Sequence, residues 1–287
     1  MKKLAQQNPP IIIIGMHRSG TTLTTKILEK IGVNIGKSKD DNYESLFFQD
    51  LNKMLMNMAG STWDSPVSMR LLYDNSKFSE LAAEVIDSKV NSIEILRHAG
   101  IKEYIKYFVL SRESWTWGWK DPRNVFTIRT WMKVFPNAKI LHVYRHGIDI
   151  AASLKTRSDS VLNSGKIRKN RHQMPFFLND KRSYPGLSSR CSNISGGMAL
   201  WDEYMSEALA FQSEFDGDFL SIKYEDLLQN SDAEIQKIIA FLNLEVSEGQ
   251  IESVCKFINP NRAYAYKETE YLEYEEVFCD VLKKFGY

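Results

Sequence analysis

A short hydrophobic run near the start of the chain predicts the first elements. Ile11–Ile14 are four consecutive β-branched residues, which is typical of a buried strand. Gly15 and Gly20 bound the segment that follows, and hydrophobic residues then recur at helical spacing until Gly32. The pattern predicts a strand, a tight glycine turn and a helix in direct succession.

The same succession of strand and helix returns later in the chain. The predicted elements are strands over 114–120 and 138–144 and helices over 124–135 and 147–155. This order is typical of a parallel sheet with right-handed crossovers. The predicted fold class is α/β, a P-loop-like three-layer α/β/α arrangement with a central parallel β-sheet, in a single domain over residues 1–287.

Other segments are predicted as elements that cover or extend this sheet. They are a loop over 40–50 that leads into a helix near residue 51, helices over 81–98, 196–215 and 232–242, and a strand over 219–223. Gly100 predicts the end of the helix over 81–98. For the chain from Arg262 onward the pattern predicts no defined structure.

The stretch over 158–193 is different because it has little periodicity and is rich in basic residues. These residues, with the neighbouring Arg157, are Lys166, Arg168, Lys169, Arg171, Lys181, Arg182 and Arg190. A long irregular segment inside a domain is commonly a functional lid or a flexible insertion, and both interpretations stay open. Its charge suits an acidic substrate or a lid over a bound anion.

Composition narrows the classes of partner. The 287 residues include 37 Lys plus Arg against 36 Asp plus Glu, so the net charge of +1 gives no reason to expect nucleic acid. Three widely spaced cysteines indicate neither a disulfide framework nor a zinc site. The hydrophobic run is too short for a membrane span or a signal peptide. We therefore expect a cytoplasmic protein without a metal.

The first glycine turn has the composition of a phosphate-binding loop. Glycines let the backbone approach an anion, and Ser19, Thr21 and Thr22 add hydroxyl donors at a helix N-terminus. The spacing from Gly15 to Gly20 is that of a nucleotide-triphosphate P-loop, but Thr21 stands where such a loop has its lysine. The charge that the lysine would supply has to come from elsewhere.

Three basic residues are placed at the C-terminal ends of predicted strands or in the loop that follows one. They are Arg18, Lys120 and Arg145. Open parallel sheets bind their ligands at this edge. Each residue alone is a surface charge by default, whereas the three together favour an anion-binding site.

Four motifs occur in one order along residues 11–242. They are GMHRSGTT at 15–22, WGWKDPR at 117–123, FPNAKILHVYR at 135–145 with Ser153 eight residues later, and KYEDL at 223–227. Together they resemble the sulfotransferases that use 3′-phosphoadenosine 5′-phosphosulfate (PAPS). The WGWKDPR motif is similar to the tyrosylprotein-type and bacterial branches of that family.

The resemblance implies a role for each matching residue. The loop residues Gly15, His17, Arg18, Ser19, Gly20, Thr21 and Thr22 would hold the 5′-phosphosulfate. Arg145 and Ser153 would hold the 3′-phosphate, and two helical turns between them are compatible with a shared ligand. Arg157 and Arg262 are candidates for further contacts with that phosphate, and Tyr224 either packs near adenine or belongs to the core.

Catalysis of sulfuryl transfer needs positive charge near the departing oxygen. Arg18 and Lys120 are the candidates, and since arginine does not readily lose its proton we expect stabilisation rather than acid catalysis. Glu44 resembles the glutamate that follows the first helix in the tyrosylprotein-type and bacterial branches and is the candidate general base, with an exposed loop carboxylate as the alternative. His17 is the rival base, and His146 is expected to lie too near the 3′-phosphate.

The resemblance implies an enzyme that transfers the sulfuryl group of PAPS to a hydroxyl or amine by in-line displacement and releases 3′-phosphoadenosine 5′-phosphate (PAP). The alternatives are a P-loop kinase or NTPase and a non-catalytic nucleotide-binding module. The acceptor, whether a small molecule, carbohydrate or peptide, and the oligomeric state are not indicated. Residues that are candidates for an acceptor pocket, or else for the core, are Trp63, Asp64, Pro66, Trp115 and Trp117.

Overall fold

Four parallel strands form the central sheet of the computed structural model, which describes residues 9–109, 115–164 and 188–287. The strands are β1 Ile11–Ile14, β2 Gly118–Lys120, β3 Lys139–Tyr144 and β4 Phe219–Lys223. Their order in the sheet is β2, β1, β3, β4, and every neighbouring pair is parallel. The predicted α/β class with a central parallel sheet flanked by helices is confirmed.

The helices follow the strands and connect them. In the first half of the chain they are α1 Thr21–Lys30, α2 Leu46–Met58, α3 Arg70–Asp74, α4 Ser76–Val90, α5 Leu96–Ala99, α6 Ile101–Glu103 and α7 Asn124–Val134, with a π-helix at Tyr104–Val109. In the second half they are α8 Gly147–Ser164, α9 Ile194–Glu214, α10 Tyr224–Gln229, α11 Ser231–Leu242, α12 Glu248–Cys255, α13 Tyr274–Val277 and α14 Cys279–Lys284. Short 3₁₀ helices are Val67–Met69, Ile93–Ile95, Arg190–Ser192, Pro260–Arg262, Ala265–Glu268 and Glu270–Glu273.

Strand β1 is buried along its whole length because it pairs with a strand on each side and both of its faces are covered. Ile11 and Ile13 pack in one hydrophobic cluster with Ile27 and Leu28 of α1. Ile12 is also fully buried. This two-sided burial explains why the strand reads as a continuous hydrophobic run rather than an alternating one.

Aromatic rings form a second part of the core. Phe48 of α2 stacks on Trp119 of β2 with ring centroids 3.9 Å apart and nearly parallel planes. Trp131 of α7 meets Trp119 edge to face at 4.8 Å, and Trp115 stacks on Trp117 at 4.9 Å. The tryptophans of the WGWKDPR segment therefore fix β2, and with it Lys120, against α2 and α7.

The predicted helix over 81–98 is wrong in its extent. Helix α4 begins earlier, at Ser76, and ends at Val90. The next residues bond to the local backbone instead, since the Asn91 side chain donates to Asp87 O and the Ser92 hydroxyl accepts from Glu94 N. Such side chains compete with helix continuation. The stop at Gly100 does occur, with φ of 83°.

Two other boundaries differ from the prediction. Strand β2 is shorter than the predicted strand over 114–120, because its partner β1 offers only four residues for pairing. Helix α8 extends to Ser164, so the irregular stretch does not begin at residue 158. The interpretation of that stretch as a lid or flexible insertion falls on 165–187, which lie outside the described residues.

The described residues group into two compact units. The first contains the chain up to Arg145 together with Glu203–Ala263, and it includes the whole sheet. The second contains the described parts of His146–Asp202 together with Tyr264–Tyr287. The single domain over 1–287 stays a prediction.

Replacing Ile12 by Ala is expected to lower the free energy of unfolding by about 3 kcal/mol, since it removes buried methyl groups from the central strand. Urea unfolding followed by circular dichroism measures this loss. Leu81→Ala is the matched control, because Leu81 lies on α4 with 48% of its surface exposed, and it should change stability little. A similar loss in both variants would contradict the central position of β1.

Candidate functional site

The glycine loop between β1 and α1 packs tightly against the ends of neighbouring strands. Gly15 and Gly20 have φ of 144° and 96°, a region in which side chains are strained. A Cβ on Gly15 would lie 2.2 Å from the Val143 carbonyl oxygen, and one on Gly20 would lie 2.1 Å from Cδ2 of Tyr224. Only glycine fits either position, so the backbone is free of side chains where it turns into the helix.

Polar groups gather at the end of this loop. Gly20 is the N-cap of α1 and has no side chain with which to bond the first N–H groups, which an α-helix leaves without an internal partner. The Ser19 hydroxyl is fully buried and has no hydrogen-bond partner among the residues that the structure describes. Thr21 is buried at the first helical position. Arg18 is exposed and has a left-handed φ of 71°.

Lys120 and Glu44 form a buried ion pair beside this loop. The lysine is 1% exposed, and its Nζ lies 3.1 Å from Oε1 of Glu44. The same Nζ donates to the Asn42 carbonyl oxygen at 2.6 Å, and that oxygen also accepts from the Thr22 hydroxyl at 3.1 Å. The Asp40 carboxylate accepts from Glu44 N at 2.8 Å and closes the turn. The segment over 40–44 is thus tied to both β2 and α1.

The charge on Glu44 follows from its surroundings. Burial by itself raises the pKa of Glu44, but the positive charges of Lys120, His17 and Arg123 and a hydrogen bond from Gln49 outweigh it. The result is a pKa lowered to about 2. Glu44 is therefore a buried, ionised carboxylate in this arrangement. The alternative of an exposed loop carboxylate is wrong, since only 4% of Glu44 is exposed.

Arg123 forms a second charged pair next to the first. Its Nη1 lies 3.0 Å from Oδ1 of Asp121 and 3.7 Å from Oε2 of Glu44. Asp121 is fully buried, and burial raises its pKa. Sequence reasoning quoted both residues within WGWKDPR but gave neither a role. The sequence does contain a signal for them, because an acidic and a basic residue follow closely on Lys120, a candidate catalytic residue.

His17 faces a wall of aromatic side chains. Its ring lies 4.7 Å from that of Trp63, edge to face, and 6.5 Å from that of Tyr204. The Tyr204 hydroxyl donates to the Trp63 carbonyl oxygen at 2.8 Å, which fixes both residues. Since the charge of His17 acts on Glu44, the two candidate bases are neighbours. Tyr204 was not found from the sequence, where it reads only as one apolar position of a helix.

Arg145 lies at the end of β3 among other residues predicted for the 3′-phosphate. Its guanidinium carbon is 4.8 Å from the centre of the Tyr224 ring, and Nη2 donates to the Arg262 carbonyl oxygen at 3.2 Å. Nη1 lies 3.5 Å from the Arg18 carbonyl oxygen. Tyr224, which is 7% exposed, packs on Gly20. The structure thus brings Arg145, Tyr224 and the backbone of Arg262 to the loop.

The remaining predicted residues belong to the second unit. Ser153 and Arg157 lie on α8, half-buried, and their pairing with Arg145 stays a prediction. In the same unit His146 stacks on Tyr266 with ring centroids 4.4 Å apart, and Asp149 accepts a hydrogen bond from Tyr266 N at 2.9 Å. His146 therefore serves packing within its own unit.

The candidate acceptor-pocket residues separate into two groups. Trp115 and Trp117 are 4% and 0% exposed and belong to the core. Pro66, in contrast, lines an open cleft of about 480 Å³ between the segment over 66–74, α7 and α9. The other lining residues are Val67, Met69, Arg70, Tyr73, Asp74, Phe126, Arg129, Glu203, Ser206, Glu207 and Ala210.

Two features are absent from the residues that the structure describes. Within the ranges 9–109, 115–164 and 188–287, no helix is long and apolar enough to cross a membrane. In the same ranges, no three side chains of His, Cys, Asp or Glu come together as metal ligands. That the site works without a metal stays a prediction.

The chain is similar to known proteins in sequence motifs and in fold. A sequence model of the sulfotransferase family matches residues 9–248. The sulfotransferase domain from the Synechococcus PCC 7002 olefin synthase is similar in structure, with 16% identity, a TM-score of 0.53 and coverage of 100% of this chain and 98% of that one. Sulfotransferase STF1 from Mycobacterium tuberculosis H37Rv is similar with 13% identity, a TM-score of 0.50 and coverage of 96% and 78%. At such identities the likeness concerns the fold. No curated protein matches in sequence. The predicted tyrosylprotein-type branch stays a prediction.

Replacing Glu44 by Gln is expected to destabilise the chain by about 3 kcal/mol at neutral pH, because Lys120 then has no counter-charge. The folded-state pKa of about 2 lies below the ordinary value of 4.5, so the contribution of Glu44 is complete above that value and is lost as pH falls through the folded pKa. The loss of stability in Glu44→Gln relative to the unmodified protein should therefore become smaller as the pH falls. Urea unfolding at a series of pH values, from neutral pH downward, measures this loss of stability.

Glu80→Gln provides the control for this series, since Glu80 is an exposed residue of α4. This substitution should change the free energy of unfolding little at every pH. A deficit of Glu44→Gln that stays constant on acidification would mean that the carboxylate of Glu44 is not held ionised by its neighbours.

Proposed function

Because the chain belongs to the sulfotransferase family, we propose that it transfers the sulfuryl group of PAPS to a hydroxyl or amine of its acceptor and releases PAP. The observation that carries the proposal is the buried ion pair of Lys120 with Glu44 beside a phosphate loop that has no lysine of its own. Of the two cations that we assign to the transfer, Arg18 belongs to the loop and Lys120 comes from the neighbouring strand β2. Such an arrangement suits a group transfer that depends on positioned charge.

The loop has the features that a phosphosulfate requires. The Ser19 hydroxyl is buried and has no bond partner among the described residues, so it remains available to a ligand oxygen. Gly15 and Gly20 leave the backbone bare, and the N-terminus of α1 favours negative charge. Thr21, Thr22 and His17 are the adjoining residues that we assign to this end of the donor.

Arg145 is the residue that we assign to the 3′-phosphate. A guanidinium binds phosphate through two parallel hydrogen bonds, and this one is held at the end of β3 over the ring of Tyr224. Arg262 lies beside it, linked by the bond from Arg145 to its carbonyl oxygen. Ser153 and Arg157 of α8 stay candidates on the strength of the sequence motif alone. This set would favour a donor with a 3′-phosphate over nucleotides that lack one.

When bound, PAPS supplies an activated sulfuryl group on a single phosphate oxygen. The acceptor oxygen or nitrogen forms the new bond to sulfur, the bond from sulfur to the phosphate oxygen breaks, and the acceptor loses a proton. Lys120 and Arg18 stabilise the negative charge on the departing oxygen, each by about 3 kcal/mol if they act as oxyanion donors do in other enzymes. Neither residue needs to give up its own proton.

Glu44 is the proposed base, and its partners explain how it becomes one. A carboxylate with a pKa of about 2 binds protons weakly. The attraction to Lys120 is the largest of the influences that lower this pKa, while burial raises it. When Lys120 turns toward the departing oxygen, the pKa of Glu44 therefore rises and its Oε1 is freed to take the proton. His17, beside Glu44, is the alternative base.

Binding of the product PAP, compared with AMP, tests the donor assignment. Isothermal titration should give at least tenfold tighter binding of PAP, because only PAP has the 3′-phosphate that Arg145 holds. Arg145→Ala should remove most of this difference. Arg97→Ala is the control, since Arg97 is an exposed arginine that pairs with Asp50. Equal affinity of the unmodified protein for both ligands would refute PAPS as the donor.

Transfer from labelled PAPS tests the reaction itself. A screen of carbohydrate, phenol, peptide and lipid acceptors identifies a substrate class, and on that acceptor Lys120→Ala and Arg18→Ala should each lower kcat by about 10²- to 10³-fold. Lys133→Ala, whose lysine bonds to Ser79, is the control for loss of a lysine. If the unmodified protein bound PAP but sulfated nothing, a non-catalytic nucleotide-binding module would be the better description.

A further inference from the structure

Asn52 of α2 lies fully buried under the charged residues of the site, and its carboxamide uses all of its hydrogen-bonding capacity. Four side chains surround it. Its Nδ2 donates to Asp121 Oδ2 at 3.0 Å and to Asn124 Oδ1 at 2.8 Å, and its Oδ1 accepts from Thr127 Oγ1 at 2.7 Å and from Trp131 Nε1 at 2.8 Å.

The surroundings of Asn52 allow only one orientation of its amide. Asp121 Oδ2 and Asn124 Oδ1 can only accept and Trp131 Nε1 can only donate, so a reversed amide would lose these three bonds. Asn124 is itself fixed, since it donates to the Ile13 carbonyl oxygen of β1 at 3.0 Å and accepts from Trp119 Nε1 at 3.1 Å. Asn52 thus presents an N–H to Asp121 from a rigid frame.

The bond from Asn52 is the first link of a chain that reaches the ion pair. Asp121 accepts from Arg123 through the backbone N–H at 2.9 Å and through Nη1 at 3.0 Å. Nη1 of Arg123 in turn faces Oε2 of Glu44 at 3.7 Å, and the other oxygen of Glu44 faces Lys120. Asn52 touches neither Glu44 nor Lys120 in this set of contacts, and the hydrogen-bonded chain to Glu44 runs through Asp121 and Arg123.

We propose that Asn52 is a positioning residue of the transfer reaction: through Asp121 it fixes the guanidinium of Arg123 against Glu44, and so holds Glu44 where it can receive the proton of the acceptor. This inference rests on the proposed function for its consequence in catalysis. The contact chain itself is a property of the fold.

The charges around Asp121 explain why a neutral donor is needed at this place. Burial raises the pKa of Asp121, the charge of Glu44 raises it further, and Arg123 and the bond from Asn52 lower it. Glu44 faces Lys120, His17 and Arg123. Loss of the Asn52 donor leaves Oδ2 of this buried carboxylate with only the longer bond from Arg123 Nη1 at 3.2 Å, which favours protonation of Asp121 and weakens its hold on Arg123.

Two substitutions of Asn52 separate positioning from packing. Asn52→Asp keeps the shape and the acceptor oxygen but turns an oxygen toward Asp121 and Asn124, so it needs a proton shared with Asp121. Asn52→Leu removes the donor and adds no charge. Thr127→Val is the matched control, because it breaks the bond to the oxygen of the same carboxamide, together with a longer one to the Arg123 carbonyl oxygen, and leaves both bonds from the Asn52 nitrogen intact.

Kinetics gives the first readout. Both Asn52 variants should lower kcat by about 10- to 100-fold at pH 8, as expected for a small displacement of a reacting group, with the affinity for PAP unchanged. The loss of kcat in Asn52→Asp, but not that in Asn52→Leu, should become smaller toward pH 6, because the proton shared with Asp121 then binds. Thr127→Val should keep kcat within about twofold despite a lower melting temperature.

The second readout needs no activity. The Nε–H signal of Arg123 in ¹⁵N NMR, assigned with Arg123→Lys, should exchange slowly with water in the unmodified protein and in Thr127→Val. In the Asn52 variants it should exchange at least tenfold faster. This measurement follows the link from Asn52 to Arg123 even if no acceptor is sulfated, so failure of the proposed function and failure of this inference give different results.

Two outcomes would overturn the inference. One is a folded Asn52→Asp or Asn52→Leu protein with unchanged kcat and unchanged exchange at Arg123. The other is an equal loss of kcat in Thr127→Val and in both Asn52 variants with no change of pH profile, which is the result expected if Asn52 only packs the core.

Discussion

The buried ion pair between Lys120 and Glu44 imposes a constraint on everything around it. Removing two charges from water is costly, and their mutual attraction repays that cost only when further groups satisfy the remaining atoms. Here the Asn42 carbonyl oxygen takes one ammonium hydrogen, and Gln49 donates to the second oxygen of Glu44 at 2.9 Å. Such a pair adds little to stability by itself, which is consistent with the catalytic role that we propose for it.

The pair also explains how a loop without a lysine can serve a transfer reaction. In a P-loop a lysine is part of the loop, whereas here Thr21 is a buried helix residue and the lysine, Lys120, comes from β2. Lys120 ends a strand that is hydrogen-bonded to β1 and stacked through Trp119 on Phe48. The cation is thus positioned by the sheet and the aromatic core, and the loop remains free to bind through its backbone.

Sequence reasoning reached the parts of the fold that local pattern determines. The run Ile11–Ile14, the glycine turn and the strand ends at Lys120 and Arg145 were predicted correctly, because two-sided burial and glycine φ values leave direct traces in the chain. The shape of the segment over 40–44 and the hydrogen bonds of Asn52 left no such trace in the sequence. The bond from Asn52 to Asp121 joins residues 69 positions apart, and a polar residue inside a helix gives no sign of what it meets.

Pairing with Lys120 and acting as a base are roles that Glu44 cannot fill at the same time. While the lysine is bound, the pKa near 2 keeps the carboxylate ionised but a poor proton acceptor. When the lysine moves to a negative charge on the donor, burial works in the opposite direction and strengthens the base. Arg123 must then keep Glu44 in place without neutralising it fully, which its distance of 3.7 Å and its closer bond to Asp121 allow. In the proposed reaction the donor itself would therefore activate Glu44, and proton removal would follow donor binding.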